Sequence, residues 1–244
     1  MAMTADINCD MGESFGLYSF GDDAAIMPFI TQANVACGFH GSDPGHMAAT
    51  VRLAKRHGVR VGAHVALPDL AGFGRREMTM GGEEMEDIVL YQIGALSAFC
   101  RREGVELSHL KPHGALYGMA ARERHIAEAC TRTAKLYGLP ILGLSGTLHE
   151  SVAAEMDVPF QAEFFADLEY DDEGSLIITR EHASYDPARA AERARRAVEA
   201  GEIVSTGGTL VRTRAETVCI HSDTPNAAAV AAAVHEALAP ARAA

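Results

Sequence analysis

The stretch DPGHMAATVRLAKRHGVRVGAHV, from Asp43 to Val65, contains a pattern that recurs along the chain and indicates its fold class. Asp43 is an ordinary N-cap residue, and the proline after it favours the first helical turn. Residues 44–57 are therefore predicted to form a helix, and Gly58 stands where a left-handed residue closes the last turn. Residues 59–65 form a β-type run. The stretch predicts a helix that leads through a short turn into a buried strand.

Short β-type runs and longer helical segments alternate through the rest of the chain, which is the order expected of βα units around a parallel sheet. Gly104, Gly138 and Gly201 also follow helical segments and mark their ends. The predicted strands run from Asp6 to Asp10, Ile30 to Cys37, Val59 to Val65, Leu107 to Lys111, Pro140 to Leu144, Pro159 to Phe164, and Thr217 to His221. The predicted helices lie near residues 44–57, 83–103, 120–137, 147–156, 187–200 and 225–238. The chain is therefore expected to belong to the α/β class.

The domain organisation follows from the absence of a linker, a low-complexity segment or a shift in composition. Because α/β barrels of about 250 residues form single units, we predict one barrel domain over residues 1–244. Residues 168–185 interrupt the alternation, since an acidic turn from Asp171 to Gly174 separates two β-type runs. This pattern predicts a hairpin inserted after the sixth strand.

Composition argues against several kinds of partner. A net charge of -12 and a pI near 5.3 oppose nucleic-acid binding, which needs clustered lysines and arginines. The five cysteines include no Cys-x-x-Cys pair, which favours reduced thiols in the cytoplasm over a disulfide framework. The N-terminus lacks a secretory signal, and the alanine-rich tail from Ala227 to Ala239 is too short to span a membrane. We expect a cytoplasmic protein with no nucleic-acid or membrane partner.

Polar side chains gather at the C-terminal ends of the predicted strands, where parallel α/β folds build their active sites. Because side chains alternate between the faces of a strand, Asp6, Asn8 and Asp10 share one face, and Lys111 and His113 share another. Each residue alone has a structural alternative, such as a helix cap, but burying many polar groups together is costly unless they are paired or used. The candidates are Asn8, Asp10, Cys37, His40, His64, Lys111, His113, Glu163, Asp167, His221 and Asp223.

Two segments suit the recognition of a small acid. Lys111, followed by Pro112 and His113, ends a strand rigidly, and an ammonium group desolvated there can polarise a carbonyl or hold a carboxylate. The glycine-bearing loop before Arg75 and Arg76 presents two guanidinium groups, which suit planar carboxylates or phosphates. The alternative for both arginines is pairing with neighbouring acidic residues.

The histidines and aspartates also raise the question of a metal. His40, His64, His113 and His221 with Asp10 and Asp223 are ligand types that bind zinc or manganese, and the candidate ligand set is Asp10, His64, His221 and Asp223. The alternative is a metal-free acid/base site in which Asp10 orients a histidine. The sequence contains neither a glycine-rich phosphate-binding motif nor a Gly-x-Ser-x-Gly elbow. A self-contained nucleotide site of those kinds is therefore not expected.

Several long motifs resemble those of the LamB/YcsF family, in the family's order and over about the whole chain. They are DINCDMGESFG (6–16), ANVACGFH (33–40) with Asp43-Pro44, GAH (62–64), PDLAGFGRR (68–76), KPHGALY (111–117) and FAD (165–167). The resemblance implies a distorted seven-stranded (β/α) barrel of the glycoside hydrolase/deacetylase type. This fold agrees with the strands predicted above.

The resemblance also implies an activity, the opening of the lactam 5-oxo-L-proline (pyroglutamate) to L-glutamate, driven by ATP with Mg²⁺ and carried out with B and C subunits. On this basis Asp10 or His64 is the base, and Lys111 and His113 stabilise an oxyanion or a phosphate. Arg75 or Arg76 binds the substrate carboxylate. The expected substrate-binding set is Asn8, His40, Arg75, Arg76, Glu163, Asp167 and His221. The alternatives are a stand-alone metal-dependent deacetylase or amidohydrolase, and a non-catalytic subunit that binds a small acid.

The chain also departs from the family pattern. Val65, Ala66 and Leu67 stand where the family usually has Pro, Ser and an aromatic residue, Leu168 replaces a usual Arg, and Ser222 replaces a usual Gly. The loss of an arginine and an aromatic residue near the mouth leaves another lactam or cyclic amide open as the substrate.

Overall fold

The computed structural model describes residues 5–177 and 183–239. Its strands are β1 (Asp6–Met11), β2 (Gln32–Ala36), β3 (Arg60–Val65), β4 (Leu107–Pro112), β5 (Ile141–Gly143), β6 (Phe160–Phe165), β7 (Glu169–Tyr170), β8 (Leu176–Ile177), β9 (Glu202–Val204), β10 (Leu210–Arg212) and β11 (Thr217–Ile220). Seven of them, β1 to β6 and β11, close into a barrel in which each strand is parallel to its neighbours. The α/β class and the seven-stranded barrel are therefore confirmed.

The helices surround the barrel and connect its strands. They are α1 (Asp23–Ile26), α2 (Pro44–His57), α3 (Gly82–Glu103), α4 (Gly114–Arg122), α5 (Arg124–Tyr137), α6 (Leu148–Glu155), α7 (Pro187–Ala200) and α8 (Ala227–Leu238), with 3-10 turns at Met27–Phe29 and Leu70–Gly72. Asp43 caps α2 through its side chain, and Gly58 ends it with φ 68°. The local signals of the opening stretch thus have the predicted structural effect.

Two connections differ from the sequence prediction. The region predicted as one helix near 120–137 contains the end of α4 and the whole of α5, because Glu123 adopts an extended conformation between them. The antiparallel pair of β9 and β10 was not predicted. Within the segment 168–185, β7 and β8 form an antiparallel pair, and residues 178–182 lie outside the described part of the chain.

The barrel interior is polar because alternate strand residues project into it. Asn34 Nδ2 donates to Asn8 Oδ1 and Asp10 Oδ1, each at 2.8 Å, and His109 Nε2 lies 2.7 Å from Asn34 Oδ1. The residues between them in sequence, such as Ile7, belong to the hydrophobic core. Paired polar groups inside and apolar groups outside follow directly from the two-residue period of a strand.

Gly62 on β3 makes room for this interior network. A Cβ at that position would lie 2.0 Å from His109 Nε2, far closer than a non-bonded contact allows. The glycine of the GAH motif therefore lets the His109 ring cross the barrel and reach Asn34.

The alanine-rich C-terminal helix packs against the rest of the protein. Val230, Val234 and Leu238 of α8 are buried. Among the described residues, no helix combines the length and the apolar character needed to cross a bilayer.

Candidate active site

The four residues predicted to be catalytic meet at the C-terminal mouth of the barrel. Asp10 lies near the end of β1, His64 on β3, Lys111 on β4, and His113 directly after β4. They line a cavity of about 50 Å³. The complete lining is Asp10, His64, Arg75, Lys111, Pro112, His113, Gly114, Tyr117, Phe165, Leu168 and His221.

Lys111 is a buried ammonium group held between two carboxylates. Its Nζ lies 2.9 Å from Asp10 Oδ1 and 2.9 Å from Glu163 Oε1, and its side chain is only 2% exposed. It also donates to Asn8 Oδ1 at 3.2 Å. Burial alone would lower the pKa of Lys111, but the charge of Asp10 and that of Glu163 raise it well above its usual value. Lys111 is thus a permanent cation at the floor of the cavity.

Asp10 is the matching anion. Its second oxygen, Oδ2, lies 3.2 Å from His64 Nε2. Burial by itself would raise the pKa of Asp10, yet the neighbouring His64 and Lys111 hold it well below the usual value. Asp10 therefore stays deprotonated in the buried mouth.

His64 and His113 face each other across the mouth. His64 Nδ1 lies 3.1 Å from the Lys111 carbonyl, and His113 Nε2 lies 2.8 Å from the Phe73 carbonyl. Their other nitrogens, His64 Nε2 and His113 Nδ1, are 3.0 Å apart. Each ring is therefore oriented by a backbone acceptor on its outer side.

His40 and Glu13 complete this side of the mouth. His40 stacks on His113 with ring centroids 3.8 Å apart, and its Nε2 lies 3.1 Å from Glu13 Oε1. Burial lowers the pKa of His40 and that of His113 well below the usual value, so both rings are neutral. Burial, reinforced by the charge of Asp10, raises the pKa of Glu13 to about 7.

The potential metal-ligand atoms form two groups in the described part of the chain. Glu13, His40, His64 and His113 bring one ligand atom each within 4.8 Å of one another, and Asp10, Cys219 and His221 form the second group. The candidate set predicted from sequence is thus distributed differently: His64 lies in the first group, and Asp10 and His221 lie in the second. Asp223 pairs with Arg75 instead. A buried cluster of histidines and a glutamate that can hold a metal ion is present.

His221 approaches the cavity from the end of β11. Its Nδ1 lies 2.9 Å from Asp167 Oδ1, and its backbone N–H donates to Asp167 Oδ2 at 2.8 Å. Burial would lower the pKa of His221, but the Asp167 carboxylate raises it to about 9. The imidazolium form therefore predominates at neutral pH, which makes His221 a proton donor beside the cavity.

The pairing of His221 with Asp167 predicts a loss of stability at alkaline pH. Since the pKa of His221 is raised from 6.5 to about 9, its contribution is complete below pH 6.5 and is lost as the pH rises through 9. We expect the free energy of unfolding, measured by urea denaturation, to fall by about 3 kcal/mol over this interval. Asp167→Asn should flatten the dependence, and an equal fall in both proteins would contradict the pairing.

Arg75 and Arg76 have different surroundings. Arg75 lines the cavity, its guanidinium lies 5.0 Å from the Phe73 ring centroid, and its Nη2 is 2.7 Å from Asp223 Oδ2. Arg76 pairs with Asp69, and its side chain is 59% exposed. The structure therefore brings only Arg75 to the cavity.

The remaining predicted substrate-binding residues lie around the cavity without lining it. Asn8 and Glu163 are fully buried one layer below and contact Lys111. His40 lies behind His113, and Asp167 holds His221. Cys37 is a buried thiol whose Sγ contacts the carbonyl of Val35.

Sequence reasoning missed four residues of this region. Glu13 lies two residues beyond β1, within the quoted DINCDMGESFG motif, where an acidic residue after a strand end was a usable signal. Tyr117, Phe165 and Leu168 supply apolar surface to the cavity, which no polar pattern could have revealed.

The positions that depart from the family pattern fall into two kinds. Val65, Ala66 and Leu67 are fully buried core residues. Leu168 lines the cavity, and Ser222 Oγ lies 3.3 Å from Glu13 Oε2. Only the last two departures therefore touch the site or its immediate support.

The fold and the site define a class of protein: a parallel (β/α) barrel whose C-terminal mouth encloses a small cavity between buried carboxylates, imidazoles and one ammonium group. The sequence profile of the LamB/YcsF family matches residues 5–244. The chain belongs to the LamB/YcsF family, and the resemblance seen in its motifs is confirmed.

Named relatives agree with this assignment. A protein of Thermus thermophilus that carries the name of the 5-oxoprolinase A chain is 49% identical over 97% of this chain and 96% of its own length. The lactam utilization protein lamB of Emericella nidulans is 44% identical over 90% of this chain and 88% of its own. The crystal structure of a lactam utilization protein, also from Thermus thermophilus, has a TM-score of 0.88, at 47% identity, over 97% of this chain and 96% of that one.

Proposed function

We propose that this chain is the A component of a cytosolic 5-oxoprolinase, which with B and C subunits hydrolyses 5-oxo-L-proline to L-glutamate at the expense of ATP. The names of the relatives support the reaction. The observation that carries the proposal is the cavity itself, in which the anion Asp10 and the cation Lys111 lie 2.9 Å apart beside the imidazolium of His221. A small ring that bears a carboxylate and an amide suits such a mixture of charges.

The lining matches the parts of 5-oxoproline. Its carboxylate pairs with Arg75, which faces the cavity and is planar like its target. The ring methylenes pack on Phe165 and Leu168, and the lactam carbonyl points to Lys111 on the floor. A cation in a buried site stabilises the negative charge that develops on that oxygen.

The acid and the base of the reaction come from groups with opposed pKa shifts. Asp10, which stays deprotonated, takes the proton of the attacking water, so that a new C–O bond forms at the carbonyl carbon. When the C–N bond breaks, His221, whose pKa is raised to about 9, supplies the proton to the leaving nitrogen. We assign Asp10 rather than His64 as the base because a backbone carbonyl holds His64 in place.

ATP enters through the thermodynamics of the ring. The amine and the carboxyl group of glutamate are tethered at high effective concentration, so the lactam re-forms readily and its opening benefits from coupling. ATP with Mg²⁺ therefore reaches the reaction through the complex with the B and C subunits.

The test is co-expression of this chain with B and C subunits and measurement of glutamate release from 5-oxoproline. We expect release only when all three subunits and ATP are present. A complex that assembles but forms no glutamate would overturn the proposal, and tight binding of 5-oxoproline without turnover would identify a binding subunit.

The histidine and glutamate cluster favours one second candidate, a stand-alone metal-dependent deacetylase or amidohydrolase. Such an enzyme would act on an amide without ATP and without partners. Turnover of 5-oxoproline or an N-acetylated compound by the isolated chain, abolished by a chelator, would select this candidate over the first.

A further inference from the structure

We propose that His64, His113 and Glu13 form a binding site for one divalent transition-metal ion at the mouth of the barrel. The proposal concerns the ion alone and does not depend on which substrate the protein uses. It also differs from the ligand set suggested by the sequence, since Glu13 and His113 replace His221 and Asp223.

The backbone determines which nitrogen of each imidazole carries the lone pair. A carbonyl oxygen only accepts hydrogen bonds, so His64 donates from Nδ1 to the Lys111 carbonyl and His113 donates from Nε2 to the Phe73 carbonyl. In the neutral rings the lone pairs therefore lie on His64 Nε2 and His113 Nδ1. These two atoms point at each other across 3.0 Å.

Carboxylate oxygens approach the same point. Glu13 Oε1 lies 3.7 Å from His113 Nδ1, and Asp10 Oδ2 lies 3.2 Å from His64 Nε2. All four are acceptors when the rings are neutral and the acids ionised, and their side chains are no more than 5% exposed. Without a cation such a convergence is repulsive, and a single proton can bridge only one pair of these atoms. A divalent ion attracts all of them at once.

The surroundings have the form of a metal centre. Histidine ligands usually donate their second N–H to a carbonyl or carboxylate, which fixes the tautomer and orients the ring, and both His64 and His113 do so here. Two imidazoles and a carboxylate are a typical ligand set for catalytic zinc, with a fourth position open to water. His40 Nε2, 3.1 Å from Glu13 Oε1, orients the glutamate.

The loop that closes over His113 is shaped to hold it. Phe73, which provides the acceptor carbonyl, has a left-handed backbone with φ 55°. A Cβ on the next residue, Gly74, would lie 2.9 Å from both His113 Cδ2 and His40 Cβ. The non-glycine left-handed residue and the close glycine together place the carbonyl against the ring, so the tautomer is a built feature of the fold.

The test measures metal binding by the full chain. The protein is stripped with a chelator, dialysed against Zn²⁺, Mn²⁺, Co²⁺ or Mg²⁺, and its bound ion is counted by mass spectrometry. We expect one Zn²⁺ or Co²⁺ per chain, a visible Co²⁺ spectrum typical of nitrogen ligation, and a higher melting temperature. Mg²⁺, which prefers an all-oxygen shell, should not be retained.

Two variants and one control locate the ion. Glu13→Gln and His113→Gln should each weaken Zn²⁺ binding by roughly 100-fold or more. His57→Gln, which alters an exposed histidine at the end of α2, should bind like the wild type. Wild-type protein that retains none of these ions, or variants that bind as tightly as the wild type, would overturn the proposal. If a variant does not fold, the wild-type stoichiometry and Co²⁺ spectrum decide.

Discussion

Replacement of Lys111 by methionine is expected to lower the free energy of unfolding by about 3–5 kcal/mol, because it leaves buried carboxylates without their cation. Lys111 Nζ lies 2.9 Å from both Asp10 Oδ1 and Glu163 Oε1, and a side chain that is 2% exposed has little access to solvent. Methionine keeps most of the volume, so the loss reports the charge. Urea denaturation with linear extrapolation measures it.

A double variant separates charge from packing. Lys111→Met combined with Glu163→Gln removes one of the two uncompensated carboxylates and should recover part of the lost stability. Lys135→Met, at an exposed lysine on α5, should stay within about 0.5 kcal/mol of the wild type. If Lys111→Met were as stable as this surface control, Lys111 would not be the buried counter-ion described above.

Asp10→Asn is expected to slow ATP-dependent glutamate formation by about 10²–10⁴-fold, the usual contribution of a positioned acid or base. The amide keeps the shape of the side chain, and Lys111 retains Glu163 as its partner. The protein should therefore remain folded while the proton acceptor is lost. The rate is measured as glutamate release by the complex with B and C subunits, and Asp87→Asn, at an exposed position on α3, is the control.

Much of the barrel could be predicted because strands and helices signal themselves locally. The glycine after α2 and the β-type run that follows it placed β3, and the same signals placed the other strands. Strand parity then grouped Asn8 with Asp10 and Lys111 with His113. Strand ends in a parallel barrel lie at one mouth, so these residues had to approach one another.

Residues on loops could not be placed in this way, because the path of a loop depends on tertiary contacts. Arg75 and Arg76 are adjacent in sequence, yet Asp69 draws Arg76 outward while Arg75 pairs with Asp223 at the cavity. Glu13 is brought to the histidines by the turn after β1, which periodicity does not describe. The tautomers of His64 and His113 depend on two backbone carbonyls, and only the folded structure shows them.

The rate of glutamate formation by two complexes that differ only at residue 10 tests the central claim most directly, namely that the lactam opens at the mouth of this barrel. We predict steady ATP-dependent release with the wild-type chain and release slower by about 10²–10⁴-fold with Asp10→Asn. Equal rates from the two complexes, with both chains folded and assembled, would place the chemistry elsewhere and contradict the account.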